Sequence, residues 1–224
     1  MSELKTIARI HTDFDTKFGI PRQSGVVAQL KGKIVFEPEF RNPDAVRGIE
    51  DWSHLWLIWE FSENKRETWS ATVRPPRLGG NTHVGVFASR SPFRPNPIGL
   101  SCVKLDKIEY DKELGAVLCV SGADMLDGTP IYDIKPYVPY ADSHPEASEG
   151  FTGKTAFRQL EVHIAPELEK KLDAESLEAL RGVLCNDPRP SYHNDPERIY
   201  GFGFAGREVK FRVEENVLTV VQID

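Results

Sequence analysis

Short apolar runs separated by turn residues fill the first two thirds of the chain. Several runs alternate apolar with polar residues and are rich in Val, Ile, Leu, Phe and Trp, which is the pattern of half-buried strands. A short helical stretch is predicted among them at residues 45–51. Short strands joined by Gly- and Pro-containing turns favour a closed or nearly closed β-barrel over βαβ units. The predicted strands are residues 6–12, 25–37 with a turn near Gly32, 54–61, 83–89, 99–111 and 116–122.

The pattern changes after residues 141–154, which are small, polar and turn-rich and which we interpret as a linker or long loop. A strand is predicted at residues 156–164. Leucines and valines then recur at helical spacing from Pro166 to Asn186. Valine-rich runs close the chain and predict a terminal hairpin of residues 209–213 and 217–223.

The fold class expected from these patterns is therefore mainly β, with a barrel followed by a small α+β unit. The barrel domain is predicted at residues 1–145 and the C-terminal domain at residues 155–224. With 224 residues, of which 40% are hydrophobic, the chain can form one large or two modest cores.

Composition narrows the class of protein. The net charge of −6 excludes a uniformly basic nucleic-acid-binding protein. The absence of a long apolar run, and of an apolar core in the first residues, leads us to expect a cytoplasmic protein. The three cysteines and six scattered histidines show neither C-x-x-C nor H-E-x-x-H spacing, so we predict no disulfide framework and no metal.

Residues 68–105 depart from this acidic balance, because they contain five Arg or Lys and no Asp or Glu. Frequent Pro and Gly hold much of this segment in turns and extended backbone. Arginines fixed in this way suit anionic or planar ligands. The segment predicts a local positive surface.

A glycine motif at residues 201–206 fits G-x-G-x-x-G but is followed by a strand pattern instead of a helix. A dinucleotide fingerprint needs that helix. We therefore interpret the motif as a turn that enters the terminal hairpin.

Two other segments could carry chemistry. Asp124, Asp127 and Asp133 follow a buried-looking strand within a turn-rich stretch, where they could accept hydrogen bonds from a ligand and position a general base. Arg189 stands between two prolines and near Tyr192. It could stack on a base or clamp a phosphate, or it could simply be solvated at the exit of a helix.

Together and in this order, nine motifs resemble the TsaA/TrmO-type methyltransferases. They span most of the chain, so the resemblance is more specific than any one of them. The motifs are Pro21-Arg22-Gln23, Asp44-Ala45-Val46-Arg47-Gly48, Ser53-His54-Leu55-Trp56, Arg74-Pro75-Pro76-Arg77-Leu78-Gly79-Gly80-Asn81, Gly85-Val86-Phe87-Ala88-Ser89-Arg90-Ser91, Phe93-Arg94-Pro95-Asn96-Pro97-Ile98-Gly99-Leu100-Ser101, Asp127-Gly128-Thr129-Pro130, Asp133-Ile134-Lys135-Pro136-Tyr137 and Asp187-Pro188-Arg189-Pro190-Ser191-Tyr192.

The resemblance implies S-adenosylmethionine-dependent methylation of N6 of N6-threonylcarbamoyladenosine, at position 37 of threonine tRNAs. It also implies a single-sheet β-barrel in place of a Rossmann sheet, and a homodimer with the cofactor near the subunit interface. The implied cofactor contacts are Pro21, Arg22, Gln23, Ser62, Glu63, Arg90, Leu100, Asp124, Met125, Leu126 and Asp127.

The urea-like N6 is a poor nucleophile until it loses its proton, so a nearby acceptor is expected. Asp127, or failing it Asp133, is our candidate. The candidate RNA-binding residues are Arg74, Arg77, Arg94, Arg189 and Tyr192. We expect at least one of these arginines to pair with a carboxylate inside the fold instead of contacting RNA.

Two other functions stay open at this point. One is S-adenosylmethionine-dependent methylation of another RNA or a small molecule. The other is a non-catalytic S-adenosylmethionine- or RNA-binding module.

Overall fold

The computed structural model describes residues 4–64, 68–154, 159–189 and 195–224. Its helices in these ranges are α1 (Pro139–Asp142), α2 (Pro166–Glu169) and α3 (Ala174–Cys185). Its strands there are β1 (Ala8–Thr12), β2 (Lys31–Phe36), β3 (His54–Glu60), β4 (Thr72–Val73), β5 (Val84–Gly85), β6 (Ile98–Asp111), β7 (Gly115–Ser121), β8 (Thr129–Pro136), β9 (Glu161–His163), β10 (Tyr200–Phe204), β11 (Arg207–Glu214) and β12 (Val217–Ile223).

Six antiparallel strands close into a barrel in the order β1-β2-β7-β6-β3-β8. Alternate residues of each strand fill its interior, as Leu55, Leu57 and Trp59 of β3 show. The predicted closed barrel is confirmed.

A second sheet, in the order β10-β11-β12-β9, packs with α3 around a separate core. Phe204, Phe211 and Leu180 are fully buried there. The predicted hairpin of β11 and β12 is confirmed. The helical pattern from Pro166 forms two helices, since the Asp173 carboxylate accepts from the Ser176 amide at 2.9 Å and caps the start of α3.

The segment between β1 and β2, residues 13–30, belongs to this second core. Phe14, Val27 and Leu30 are buried in it. The prediction of a strand over residues 25–37 was therefore wrong in its first half, and Gly32 lies within β2 and not in a turn. Local alternation misled here because these apolar residues pack against a distant helix.

Other boundaries differ as well. The predicted strand at residues 83–89 is reduced to β5 and a 3-10 turn at Val86–Ala88. β8 was missed because Gly and Pro precede its apolar residues. The predicted helix at residues 45–51 forms 3-10 turns at Pro43–Val46 and Ile49–Asp51.

The glycine motif at residues 201–206 was predicted to be a turn, but its first four residues lie in β10, and β11 follows it in place of the helix of a dinucleotide fingerprint. Gly201 and Gly203 lie in β10. Ala205 and Gly206, with φ of 51° and 70°, make the turn into β11. In the described ranges, none of the helices has the length and apolar character needed to cross a membrane.

Candidate active site at the open end of the barrel

Three connections leave the barrel at one end. Thr12 of β1 is paired with Gly32, Lys31 with Ser121 of β7, and Glu60 of β3 with Ile98. The connections at residues 13–30, 61–97 and 122–128 therefore meet there. The connections and the start of β6 carry all the predicted cofactor residues.

The barrel wall splits at this end between β6 and β7. Their pairing stops at Lys104 and Ser121, while β6 continues to Ile98 along β3. Ser24 enters the split, and its hydroxyl accepts from the Cys102 amide at 3.1 Å. By alternation, the peptide groups of Leu100 face the same side as those of Cys102, so they form an edge that a planar ligand could pair with.

Asp124 lies at the floor of this split, which we call the cleft (residues 21–24, 98–102 and 122–127). Its carboxylate accepts from the Ser101 hydroxyl at 2.6 Å, and that hydroxyl accepts from the Trp59 indole at 2.9 Å. Burial raises the pKa of Asp124 to about 6, and hydrogen bonds from Ser101 and the Ser24 amide, with the charge of Arg90, oppose part of the rise. The cleft therefore holds a carboxyl group that titrates near neutral pH.

Arginines approach the cleft from two sides. The Arg90 guanidinium donates to the Gln23 side-chain oxygen. Burial and the neighbouring charge of Arg77 lower the pKa of Arg22, while Asp187 acts in the opposite direction. Arg90 therefore lies close to Gln23 and to the charge of Asp124, whereas the charged neighbours of Arg22 are Arg77 and Asp187.

Asp127 begins the turn that precedes β8 and is half exposed. Its carboxylate accepts from the Thr12 amide at 3.1 Å and lies 3.1 Å from Nδ1 of His11. Gly128, with φ of 75°, completes the predicted turn. Met125 is 1% exposed in the barrel core, and its carbonyl accepts from the Thr12 hydroxyl at 2.9 Å.

Ser62 and Glu63 form a 3-10 turn with Asn64 after β3. Lys17 donates to the Glu63 carbonyl at 2.7 Å and to the Asn64 side chain at 3.2 Å. The turn is thereby tied to residues 13–30, which also carry Pro21 to Gln23.

Asp133 lies away from this group, on the outer wall of the barrel. It accepts from Lys135 at 2.8 Å. The register aligns Leu100, Ile58 and Asp133 across three adjacent strands. Two strand spacings separate Asp133 from Leu100, a distance of about 10 Å.

The candidate RNA-binding arginines occupy different environments. Arg74 donates to Nε2 of His83 at 3.0 Å, and Arg94 to the Ser89 carbonyl at 3.0 Å. Arg189 is 9% exposed and bonds to both oxygens of Asp187, at 2.8 and 2.9 Å. An arginine paired inside the fold was expected, and Arg189 is one; Tyr192 lies outside the described residues.

Sequence reasoning missed residues that support the cleft. Ser24 follows the Pro21 motif directly, and Ser101 ends the motif that begins at Phe93, so proximity to these motifs was an available signal. His11, the second-last residue of β1, lies beside Asp127, and no local pattern marks that contact. Trp59 looked like an ordinary core residue.

The fold defines a class: a six-stranded barrel protein, distinct from Rossmann proteins, whose wall splits at one end between β6 and β7. The chain belongs to the tRNA-methyltransferase O family. The family's N-terminal domain model matches residues 9–143, and its C-terminal domain model matches residues 158–224.

Individual relatives agree with this assignment. The tRNA (adenine(37)-N6)-methyltransferase of Escherichia coli K12 is 39% identical over 223 residues, which are 95% of this chain and 94% of that protein. A putative S-adenosylmethionine-dependent methyltransferase of Pseudomonas aeruginosa, RcsF, is 39% identical over 207 residues, with 87% and 85% covered. A crystal structure of TrmO from P. aeruginosa superposes with a TM-score of 0.79 at 31% identity, covering 100% of this chain and 99% of that one.

Proposed function

We propose that this protein transfers the methyl group of S-adenosylmethionine to N6 of the adenosine at position 37 of tRNA. Its substrate would be N6-threonylcarbamoyladenosine in threonine tRNAs. The observation that carries the proposal is the partly buried Asp124 carboxyl, which accepts from Ser101 in the cleft and lies near the charge of Arg90. The names of the E. coli and P. aeruginosa relatives support the reaction and the methyl donor.

The cleft residues offer complementary partners for each part of the cofactor. Asp124 would take a ribose hydroxyl or the methionyl ammonium, and Arg90 or Arg22 the methionyl carboxylate. The peptide edge at Leu100 would pair with adenine. The further proposed contacts are Pro21, Gln23, Ser62, Glu63, Leu126, Asp127 and the main chain of Met125.

The methyl transfer itself needs mainly positioning, because the sulfonium already activates the methyl carbon and leaves as a neutral thioether. N6 must lose a proton as the new C–N bond forms. Asp127 is half exposed at the edge of the cleft and can accept that proton, with His11 in contact with its carboxylate. Asp133 is the weaker candidate, since it lies on the outer wall and is paired with Lys135.

A surface on the 61–97 connection suits an anticodon loop. Arg74, Arg77 and Arg94 supply positive charge within residues 68–97 of this connection, which contain no Asp or Glu. Trp69 and Phe87 are 56% and 74% exposed, with ring centroids 6.3 Å apart. Exposed aromatic rings beside arginines are the usual platform for unpaired bases. Arg189 would have to leave Asp187 before it could contact RNA.

We further propose a cytoplasmic homodimer built from a barrel domain (residues 1–145) and a C-terminal domain (residues 155–224). The two separate cores support the division. Leu100 is 52% exposed next to the cleft, which supports an apolar neighbour there, either cofactor or a second subunit. Sedimentation with and without S-adenosylmethionine tests the dimer.

Methyl transfer from labelled S-adenosylmethionine to bulk tRNA tests the activity. tRNA lacking the threonylcarbamoyl group serves as the matched control. We expect label only in the modified threonine tRNA. Equal labelling of both tRNA pools would contradict the proposed substrate, and cofactor binding without transfer would favour a non-catalytic module.

A further inference from the structure

We propose that the C-terminal domain positions the cofactor-binding residues 21–24 through the connection at residues 13–30, so that its packing sets the affinity for S-adenosylmethionine even without RNA. The inference rests on the proposed cofactor site. Residues 13–30, which we call the cofactor loop, join two barrel strands yet pack on the C-terminal core.

Aromatic contacts fix the first half of the cofactor loop to β10 and β11. The ring of Phe14 meets that of Phe204 edge to face at 5.4 Å. Phe18 stacks on Tyr200 and Phe211, with centroids 6.4 Å apart in each pair. These contacts bury the loop side chains in the C-terminal core, whereas the loop backbone begins and ends in the barrel.

The main chain of β10 approaches the first half of the cofactor loop so closely that position 203 has no room for a side chain. A Cβ on Gly203 would collide with the Asp15 carboxylate. The Ala205 amide donates to the Asp13 carbonyl at 3.1 Å. The cofactor loop therefore follows the surface of the C-terminal sheet as if it were a further layer of that domain.

The second half of the cofactor loop meets α3. Val27 is buried against Gly182, where a Cβ would lie 2.6 Å from its Cγ1. Gln29 donates to Glu178 at 3.2 Å. Ile20 also packs on the C-terminal core, so two anchors, Ile20 and Val27, flank residues 21–26.

Between these anchors the loop touches the cleft. Ser24 accepts from the Cys102 amide, and its own amide reaches Asp124. Gln23 accepts from Arg90, and the Gly25 amide donates to the Gly122 carbonyl at 2.9 Å. Because Ser24 is three residues from Val27, a displacement of Val27 is transmitted to Ser24 over a short, turn-rich path.

The charge of Asp187 adds a second route from the C-terminal domain. Asp187 follows α3, holds Arg189 with both oxygens, and favours the charged form of Arg22. Arg22 is thus held between the positive charge of Arg77 and a carboxylate that the C-terminal domain supplies.

The test is Gly182→Ala, which presses a methyl group against Val27. Alanine is the better helix former, so a general loss of helix stability does not explain a defect. Gly201→Ala is the matched control, because its Cβ meets the flexible end of Glu208 at 2.8 Å and not the cofactor loop. The double variant Val27→Ala/Gly182→Ala lacks the Cγ1 methyl group of Val27 that the new Cβ would contact, so it should relieve the collision.

Calorimetric titration with S-adenosylmethionine, without RNA, gives the readout. We expect the Kd to rise about tenfold for Gly182→Ala, to stay within about twofold for Gly201→Ala, and to recover in the double variant. In methyl transfer, the KM for S-adenosylmethionine should rise with kcat retained. The inference would be overturned if folded Gly182→Ala kept the wild-type Kd or if Gly201→Ala lost as much affinity. It would also be overturned if the double variant did not recover its affinity.

Hydrogen exchange of residues 20–27 in the free protein separates this inference from the proposed function. Gly182→Ala should accelerate exchange there and the control should not, whether or not the wild type binds S-adenosylmethionine. A wild type that binds none would contradict the proposed function alone. If Gly182→Ala does not fold, Gly203→Ala, with rescue by Asp15→Ala, takes its place.

Discussion

The Ser101 hydroxyl donates its single proton to the Asp124 carboxylate, at 2.6 Å. It is committed to that direction because the Trp59 indole donates into the same oxygen at 2.9 Å. The pair therefore favours the ionised carboxylate, while burial favours the neutral acid. With a pKa of about 6, Asp124 changes charge within the pH range in which cofactor affinity can be measured.

Cofactor affinity should depend on the charge of Asp124. If the carboxylate binds the methionyl ammonium or a ribose hydroxyl, cofactor binding near pH 6 should release about half a proton per site. Affinity should fall by up to about tenfold per pH unit below pH 6. Calorimetry in buffers of different ionisation enthalpy measures the released protons. Asp124→Asn should show neither effect, and a pH-independent wild type would refute the assignment.

The free energy of unfolding should depend on pH through Asp124 in the opposite direction to cofactor affinity. The carboxyl keeps its proton to about pH 6 in the folded chain but only to about 3.8 when unfolded. The folded state then binds more protons between these values, so stability falls as pH rises from about 4 to 6. Asp124→Asn should gain stability over the wild type across that window, by up to about 3 kcal/mol at neutral pH. Urea denaturation at several pH values measures the difference.

The position of the Trp59 side chain depends on the absence of a side chain at Gly99. A Cβ at position 99 would collide with the indole ring across β3 and β6. We expect Gly99→Ala to destabilise the fold by about 1–3 kcal/mol and to weaken cofactor binding, because Trp59 loses its position beside Ser101. Gly85→Ala, which meets nothing within 4 Å, is the control in thermal denaturation. Equal stability of the two variants would speak against this packing.

Asp127 and Asp133 can be separated by single-turnover methyl transfer at saturating cofactor and tRNA. Asp127→Asn should slow the chemical step by about 10²–10⁴-fold, since the amide cannot accept the N6 proton. Asp133→Asn should keep its rate, as its partner Lys135 lies on the outer wall. Cofactor and tRNA affinities of both variants serve as controls. A normal rate in Asp127→Asn would end its role as the base.

The arginines should divide into two groups. Arg74→Ala should weaken tRNA binding and reduce the salt slope by about one unit, as a phosphate contact does. Arg189→Ala should instead lower the thermal midpoint, because it leaves Asp187 without its bidentate partner. Filter binding at two salt concentrations and thermal denaturation give the readouts. A tRNA defect in Arg189→Ala without loss of stability would reverse this division.

Sequence patterning was sufficient for the parts of the fold that local rules govern. Alternation located β3, β6 and β7, and the Asp127-Gly128 pair located the turn before β8. It failed at residues 25–30, because Val27 and Leu30 alternate like strand residues but pack on α3, far along the chain. It also left open whether Arg189 faces solvent, since its burial depends on how distant elements enclose it.

The sequence by itself determined a barrel with a small α+β C-terminal unit and the motifs that mark the cleft, because residue periodicity, turn chemistry and motif order are local properties. Tertiary structure alone decided how the cleft is built. Where the barrel closes, β6 separates from β7, Ser24 lies between them, and the Asp124 carboxylate accepts from the Ser101 hydroxyl. The same closure lays the cofactor loop on the C-terminal core, because apolar residues are buried where distant elements meet, not where neighbours in sequence lie.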